Sequence, residues 1–391
     1  MNRTSTPSAD SSQNDSQFDP LAAMQQWHTY REIHAQPRVW SAWAAQLAQQ
    51  LPALQGWLKD ADYAAVWFCG AGTSAFIGEA LASYLNPRSA TPRYRAVATT
   101  DVVAQPYHAL QTAGKLLVVS FGRSGNSSES LGTLDALDAL APHADRLHIT
   151  CNATGALALR SVPGPGVLRT VVLPAETDDA GFAMTSSYTT MLLTALACFD
   201  AQPPLPVQQL LPALAQAAQA LLDGMPAWAE KNAHTRPSRA VFLGSGPLLA
   251  AARESALKVL ELTAGEVATL WDSTLGFRHG PKAFVNANTR VHVLVSSDPH
   301  TQRYDLDVVH EIRRQFGPSA VCTIGPDQAQ CDVVVPVVGN DGWSVVLYVL
   351  FAQYMAMHWS HAMGLQVDNP FTSGNLTRVV SGVTLYPVHA V

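Results

Sequence analysis

Residues 64–81 read AAVWFCGAGTSAFIGEAL, and residues 238–257 read SRAVFLGSGPLLAAARESAL. In each, an apolar run ends on a Gly-x-Gly turn and passes into an amphipathic stretch, which predicts strand, tight turn and helix. A second pair follows the first: KLLVVSFGRSGNSSESLGTLDAL at 115–137 and VHVLVSSDPHTQRYDLDVVHEIR at 291–313. Gly70 recurs as Gly244 after 174 residues, and Ser120 as Ser296 after 176. Two echoes at nearly one offset predict a duplicated domain. RLHITCN and VLRTVVLPA add strands, and AMTSSYTTMLLTALACF adds a helix. Strands alternating with helices predict an α/β chain whose mostly parallel sheets are covered on both faces. The boundaries expected are a disordered tail over 1–20, helices over 21–60, a first domain over 61–200, a Pro-punctuated helical connector over 201–237 and a second domain over 238–391.

A chain of 391 residues is too long for one ordinary domain and fits two. With 48% hydrophobic and 14% charged residues it has material for a large core, and a net charge of −6 lacks the basic footprint of a nucleic-acid binder. Cys69, Cys151, Cys198, Cys322 and Cys331 form no CxxC pair, so they read as buried thiols of a reducing, cytoplasmic compartment. MNRTSTPSADSSQNDSQ at 1–17 has no apolar core and is not a signal peptide, and no run of about 20 apolar residues predicts a membrane span.

The two turns of the first half carry an excess of hydroxyls. Thr73 and Ser74 follow the first strand; Ser124, Ser127, Ser128 and Ser130 stand with Gly122 and Gly125 after the next. Such turns lie together outside the carboxyl ends of a parallel sheet, where helix N-termini offer free N–H groups and a positive dipole end. Helix capping explains one hydroxyl per helix; the surplus suits a phosphate monoester. GAGTSA alone also fits a dinucleotide turn, but the acidic residue about 20 positions on that would bind a ribose is missing.

The second half replaces that loop with SSDPHTQ and brings charge instead. Glu254, Lys258 and Glu261 stand at i, i+4 and i+7, within roughly 60° of one another on a helix. Leu257 and Leu262 flank them, and Ala256, Val259 and Leu260 fill the rest of the circumference. An exposed Glu–Lys ladder would sit in a wide polar face. A narrow charged seam in an apolar helix instead predicts buried groups tuned for proton transfer. GFRHGPK at 276–282 then presents Arg278, His279 and Lys282 on a Gly-Pro loop, with a histidine suited to acid–base work. No ligand cluster with metal spacing stands out, and no cofactor is expected.

Together these residues resemble the sugar isomerase (SIS) domain family over roughly 60–391, which implies two tandem flavodoxin-like, three-layer αβα domains. GRSGNSSES is similar to the family's hydroxyl-rich phosphate loop, and ESALKVLE followed by RHGP to the isomerase half of glucosamine-6-phosphate synthase. GAGTSAFIGE, LPAETDDAGFAMTSS, GFRHGPK and SGNLTRVVSGVTLYP look more like bacterial galactosamine-6-phosphate deaminases, also labelled tagatose-6-phosphate ketose/aldose isomerases. The resemblance implies that Thr73, Ser74, Ser124 and Ser127, helped by Arg123, hold a 6-phosphate. It also implies that Gly72 and Arg378 touch substrate, Glu261 moves a proton between C1 and C2, His279 opens the ring, and Glu254 and Lys258 line the same pocket. In the synthase the HGP loop comes from a neighbouring subunit, which implies a homodimer or larger homo-oligomer here. Two positions depart: Gly122 replaces a loop serine, and Arg378 in NLTR replaces a lysine. Arginine stays protonated and forms no imine. Residue 2 is Asn rather than a nucleophilic Cys, and the first 60 residues are too few for a glutaminase, so ammonia release is the direction expected. The expected reaction is deaminating isomerisation of a hexosamine 6-phosphate; plain ketose–aldose isomerisation, the gluco epimer and a non-catalytic sugar-phosphate sensor are the alternatives.

Overall fold

The computed structural model describes residues 23–110, 114–380 and 382–389; the tail expected over 1–20 lies outside them. In chain order the elements are α1 (His28–Asp60), β1 (Ala65–Gly70), α2 (Thr73–Leu85), β2 (Arg93–Ala98), α3 (Thr99–Ala104), α4 (Pro106–Ala109), β3 (Leu116–Gly122), α5 (Ser128–Leu140), β4 (Asp145–Thr150), α6 (Ala156–Leu159), β5 (Leu168–Val172), α7 (Ser186–Phe199) and α8 (Val207–Lys231). The second half continues with β6 (Arg239–Gly244), α9 (Pro247–Leu262), β7 (Ala268–Ser273), β8 (Thr289–Leu294), α10 (Pro299–Phe316), β9 (Val321–Gly325), β10 (Val333–Val334) and α11 (Asp341–Ala362). Both sheets are fully parallel, ordered β2-β1-β3-β4-β5 and β7-β6-β8-β9-β10. Counted from the first strand of each half, both orders are 2-1-3-4-5, so each reverses direction beside its first strand.

Strand alternation sends side chains into separate layers. Val66 and Phe68 of β1 and Ala240 and Phe242 of β6 enter one large core shared with α1, α7, α8, α9 and α11. Trp67 and Cys69 point the other way, under α5, and Val241 and Leu243 point under α10. Both faces of both sheets are therefore covered, which parallel strands require. The segment expected to join the halves is a 25-residue helix, α8, that buries Leu210, Leu211, Leu214 and Leu221 in the shared core. α11 is apolar all round and buried along nearly its whole length, the mark of a helix enclosed by neighbours.

The Gly-x-Gly turns have one geometry in both halves. Gly72 stands at φ 54°, ψ −129° and Gly246 at φ 57°, ψ −130°, a region that side chains with a Cβ avoid. Gly70 and Gly244 are needed for contact: a Cβ would lie 2.5 Å from the Ser74 carbonyl carbon or 2.3 Å from the Leu248 oxygen. Each helix thus starts pressed against its strand, and its first N–H groups face the crevice beyond the sheet. Gly244→Ala is expected to cost about 1–3 kcal/mol. Gly224→Ala, on an exposed turn of α8 with nothing within 4 Å, should instead stabilise by roughly 0.5–1 kcal/mol. Urea midpoints moving in the same direction would contradict this contact argument.

Candidate active site

β1 and β3 are neighbours, with Cys69 beside Ser120, so their turns meet where the strand order reverses. Crevices at such points receive ligands in open α/β sheets. Thr73 and Ser74 are buried there at the start of α2, and Ser124 and Ser127 lead into α5. None of these hydroxyls caps its helix. Ser127 donates to Ser130 Oγ at 2.7 Å; Ser74 reaches only the Met184 thioether at 3.9 Å. Ser124 Oγ accepts the Asn126 N–H at 3.2 Å, shaping the loop. The α2 and α5 N-termini are therefore free of side-chain caps, whereas Asp298 caps α10 and Asn340 caps α11. Gly122 also has a geometric reason: a Cβ there would come 3.1 Å from Leu157 Cδ2 and 3.3 Å from Gly125 Cα, so the loop folds tightly on itself.

α9 packs against α2 and carries the charged seam into this crevice. Lys258 Nζ donates to Thr73 Oγ1 at 3.0 Å and to Glu261 Oε2 at 2.5 Å, and lies 3.4 Å from Glu254 Oε1. Lys258 and Glu254 are completely buried, while the Glu261 side chain keeps 20% of its exposure, so the base candidate is the member that faces the opening. Burial pulls the Lys258 pKa down, but two carboxylates more than offset it and the net direction is up. Burial pushes Glu254 up to about 8, with Lys258 opposing, Glu261 reinforcing and Thr73 opposing. The Lys258 ammonium therefore lies between a fully buried carboxyl that holds its proton more tightly than usual and the partly exposed Glu261. α9 ends directly after it, with Ala264 at φ 51° and Gly265 at φ 82°; a non-glycine residue in that region is a small strain of the kind found at functional sites.

The other candidates are distributed around this centre. Arg123 is buried, but its guanidinium donates to the carbonyls of Phe182 (3.2 Å) and Arg378 (3.1 Å). It thereby fastens the C-terminal segment over the loop. Arg378 itself reaches Asp178 Oδ1 at 3.6 Å. The segment continues with Val380 accepting from Ser128 N–H, Leu385 in the notch left by Gly132, and His389 bonded to Tyr107. Arg278 and Lys282 are committed elsewhere: both pair with Glu311 of α10, and Arg278 also with Asp307. His279, beside that clamp, is exposed and makes no side-chain hydrogen bond among the described residues.

Residues the sequence reading passed over hold the 173–187 loop. Asp179 is buried and accepts from the N–H groups of Thr185, Ser186 and Ser187, starting α7. Glu32 of α1 accepts from Ala180 and Gly181, and burial first, then Asp179, pushes it up to about 7. The stretch TDDAGFAMTSS was distinctive as a string, but only the fold shows its aspartate turned inward. A cavity of about 540 Å³ lined by Tyr63, Arg88, Tyr94 and Asp200 opens at the amino ends of β1 and β2, whereas the hydroxyls and the charged residues converge at the carboxyl ends. Among the described residues no group of three or more His, Cys, Asp or Glu could hold a metal, and no helix is long and apolar enough to cross a membrane.

No family model matches the chain. It is 39% identical over 384 residues to the Escherichia coli protein named D-galactosamine-6-phosphate deaminase AgaS, across 95% of this chain and 99% of that protein. A Shewanella sp. (strain ANA-3) protein of the same name is 36% identical over 364 residues, 92% of each. The chain belongs to the AgaS family. A crystal structure of tagatose-6-phosphate ketose/aldose isomerase from Escherichia coli matches with a TM-score of 0.84 and 38% identity, over 95% of this chain and 100% of that one. Glucosamine-6-phosphate deaminase from Thermotoga maritima shares the fold at a TM-score of 0.71 and 22% identity, over 90% of this chain and 99% of that one. The AgaS-family chain is thus two tandem SIS domains, as its sequence led us to expect.

Glu254 makes stability depend on pH in a defined direction. Its proton is held more tightly in the folded chain than at the ordinary value of 4.5, so its contribution is complete below pH 4.5 and is lost as pH rises through about 8. Relative to Glu254→Gln, the wild type should be less favoured at pH 9 than at pH 5. Urea midpoints differing by the same amount at both pH values would show that Glu254 does not titrate this way.

Proposed function

We propose that the chain is an amino-sugar-phosphate deaminase: it converts D-galactosamine 6-phosphate and water to tagatose 6-phosphate and ammonium. The observation that carries this reading is the Lys258 ammonium, bonded at once to a hydroxyl of the proposed phosphate cradle and to the proposed base. In this reading Thr73, Ser74, Ser124 and Ser127 and the uncapped N-termini of α2 and α5 hold the 6-phosphate. Arg123 shapes the cradle, and Gly72 and Arg378 border the sugar. His279 assists ring opening to the aldehyde. Glu261 takes the C2 proton and delivers it to C1, which turns the C1 aldehyde into an alcohol and leaves an imine at C2. Water adds to C2, the C–N bond breaks, and ammonium leaves a ketone behind. Glu254, 3.4 Å from the Lys258 ammonium, helps hold it beside Glu261. In this reading the enzyme works in the cytoplasm, a reducing compartment that suits its five free cysteines.

Glu261→Gln should lower ammonium release from galactosamine 6-phosphate by about 10²–10⁴-fold, read in a coupled ammonium assay with glucosamine 6-phosphate and tagatose 6-phosphate in parallel. Normal turnover in the variant would remove Glu261 from the mechanism, and ketose–aldose exchange without ammonium would replace deamination by plain isomerisation.

The exposed His279 supports a further part of the reading: a homodimer in which each HGP loop completes its neighbour's site. Mixing inactive Glu261→Gln and His279→Ala chains under conditions that exchange subunits should then restore about a quarter of wild-type activity, since half the dimers would be hybrids with one intact site. No recovery in verified hybrids would place His279 in its own subunit's site.

A further inference from the structure

The second half has the same strand order as the first and therefore the same crevice, between the turns that follow β6 and β8. Its donors converge as a phosphate cradle's would. Ser245 Oγ, after β6, donates at 2.9 Å; Thr274 Oγ1, after β7, at 2.6 Å; and the Ser296 backbone N–H, after β8, at 3.0 Å. All three contacts end on one carboxylate, that of Asp305, which reaches up from the second turn of α10, and the Ser245 and Thr274 hydroxyls are also bonded to each other. Asp305 and Thr274 are fully buried and Ser296 is 1% exposed. Next to it Asp341 accepts from Ser296 Oγ, Ser297 N–H and Ser297 Oγ.

We propose that this crevice is an anion-binding site permanently filled by the protein's own carboxylate, so that Asp305 stands where a bound phosphate would and the chain keeps only one open phosphate site, in its first half. The comparison between halves rests on the phosphate reading of the first; the closure of the second does not. The charges support the division. Around the first crevice the buried groups include two cations, Lys258 and Arg123, beside Glu254; around the second the buried charged group is Asp305, with the half-buried Asp341 next to it. Buried donors left without an acceptor are costly, and a carboxylate supplies short charge-assisted bonds to all three. A fixed anion also repels a second one, which keeps sugar phosphates from lodging in an unproductive crevice.

Removing the carboxylate should leave a hole of defined chemistry: the mutually bonded Ser245 and Thr274 hydroxyls, the unpartnered Ser296 N–H, and room for a small monoanion. Asp305→Ala in the full chain should melt below wild type, and sodium formate should raise its melting temperature by roughly 2 °C more than sodium chloride at equal ionic strength. Wild type should respond equally to both salts, and Asp305→Asn, whose amide refills the space, should be destabilised without the formate response. Equal action of formate and chloride on Asp305→Ala, or an Asp305→Asn variant as stable as wild type, would overturn the proposal. If Asp305→Ala does not fold in either salt, the stability of Asp305→Asn decides alone. Inorganic phosphate titrated into wild type should fill at most one site per chain. Two sites would overturn the closed crevice, whereas none would count against the first-half cradle and leave the second-half closure standing.

Discussion

The ammonium of Lys258 has no exposed surface, and a charge of that kind costs several kcal/mol to bury unless its environment answers it. Here the answer comes from both halves of the chain: Thr73 from the start of α2, Glu254 and Glu261 from α9. The contact spans 185 positions of sequence. It therefore exists only when the two sheets have docked through the shared core. Much of the architecture can be understood as support for it. Gly70 and Gly72 press the start of α2 onto β1 so that Thr73 projects into the crevice. α11, buried on all sides, backs α9 so that the seam faces α2 rather than water. Arg253, one residue before Glu254, pairs with Glu79 and lies over the rings of Phe76 and Trp271, a second charged tie between the same two helices.

The division of labour between the halves follows from where charge is buried. Both crevices offer hydroxyls and backbone N–H groups, but one is open and borders cations while the other is occupied by a side chain. Helix starts follow the same pattern. α10 and α11 are capped by Asp298 and Asn340, which consumes their free N–H groups; α2 and α5 are not capped by side chains. Identical topology thus yields one open crevice and one whose donors are taken by an internal carboxylate.

What was legible in the sequence is what depends on local pattern. The Gly-x-Gly turns, the strand–helix alternation and the i, i+4, i+7 seam are short-range features, and each led to the element now seen. The surplus of hydroxyls was rightly not attributed to capping, since Ser127 turns its side chain to Ser130. What stayed hidden depends on long-range partners. Arg278 and Lys282 read as free loop cations, yet Glu311 occupies both. Asp305 lies in a stretch, RYDLDVVHEIR, where an aspartate two positions on, Asp307, is exposed to solvent and paired with Arg278; only the register of α10 against the sheet turns one inward and the other out. The Ala-, Gln- and Trp-rich stretch with its leucine spacing reads as helices over 21–60, but α1 runs through Pro37 and Pro52 as one helix of 33 residues.

The C-terminal segment lies across loops made near the beginning of the chain, from Arg378 on Arg123 to His389 on Tyr107. Domains generally fold in order as they leave the ribosome. The first sheet has its full complement of strands once residue 172 is made, yet the roof over its hydroxyl loop is contributed by residues beyond 370. The crevice thus acquires its finished shape only after residues beyond 370 have emerged, long after the sheet beneath it is complete.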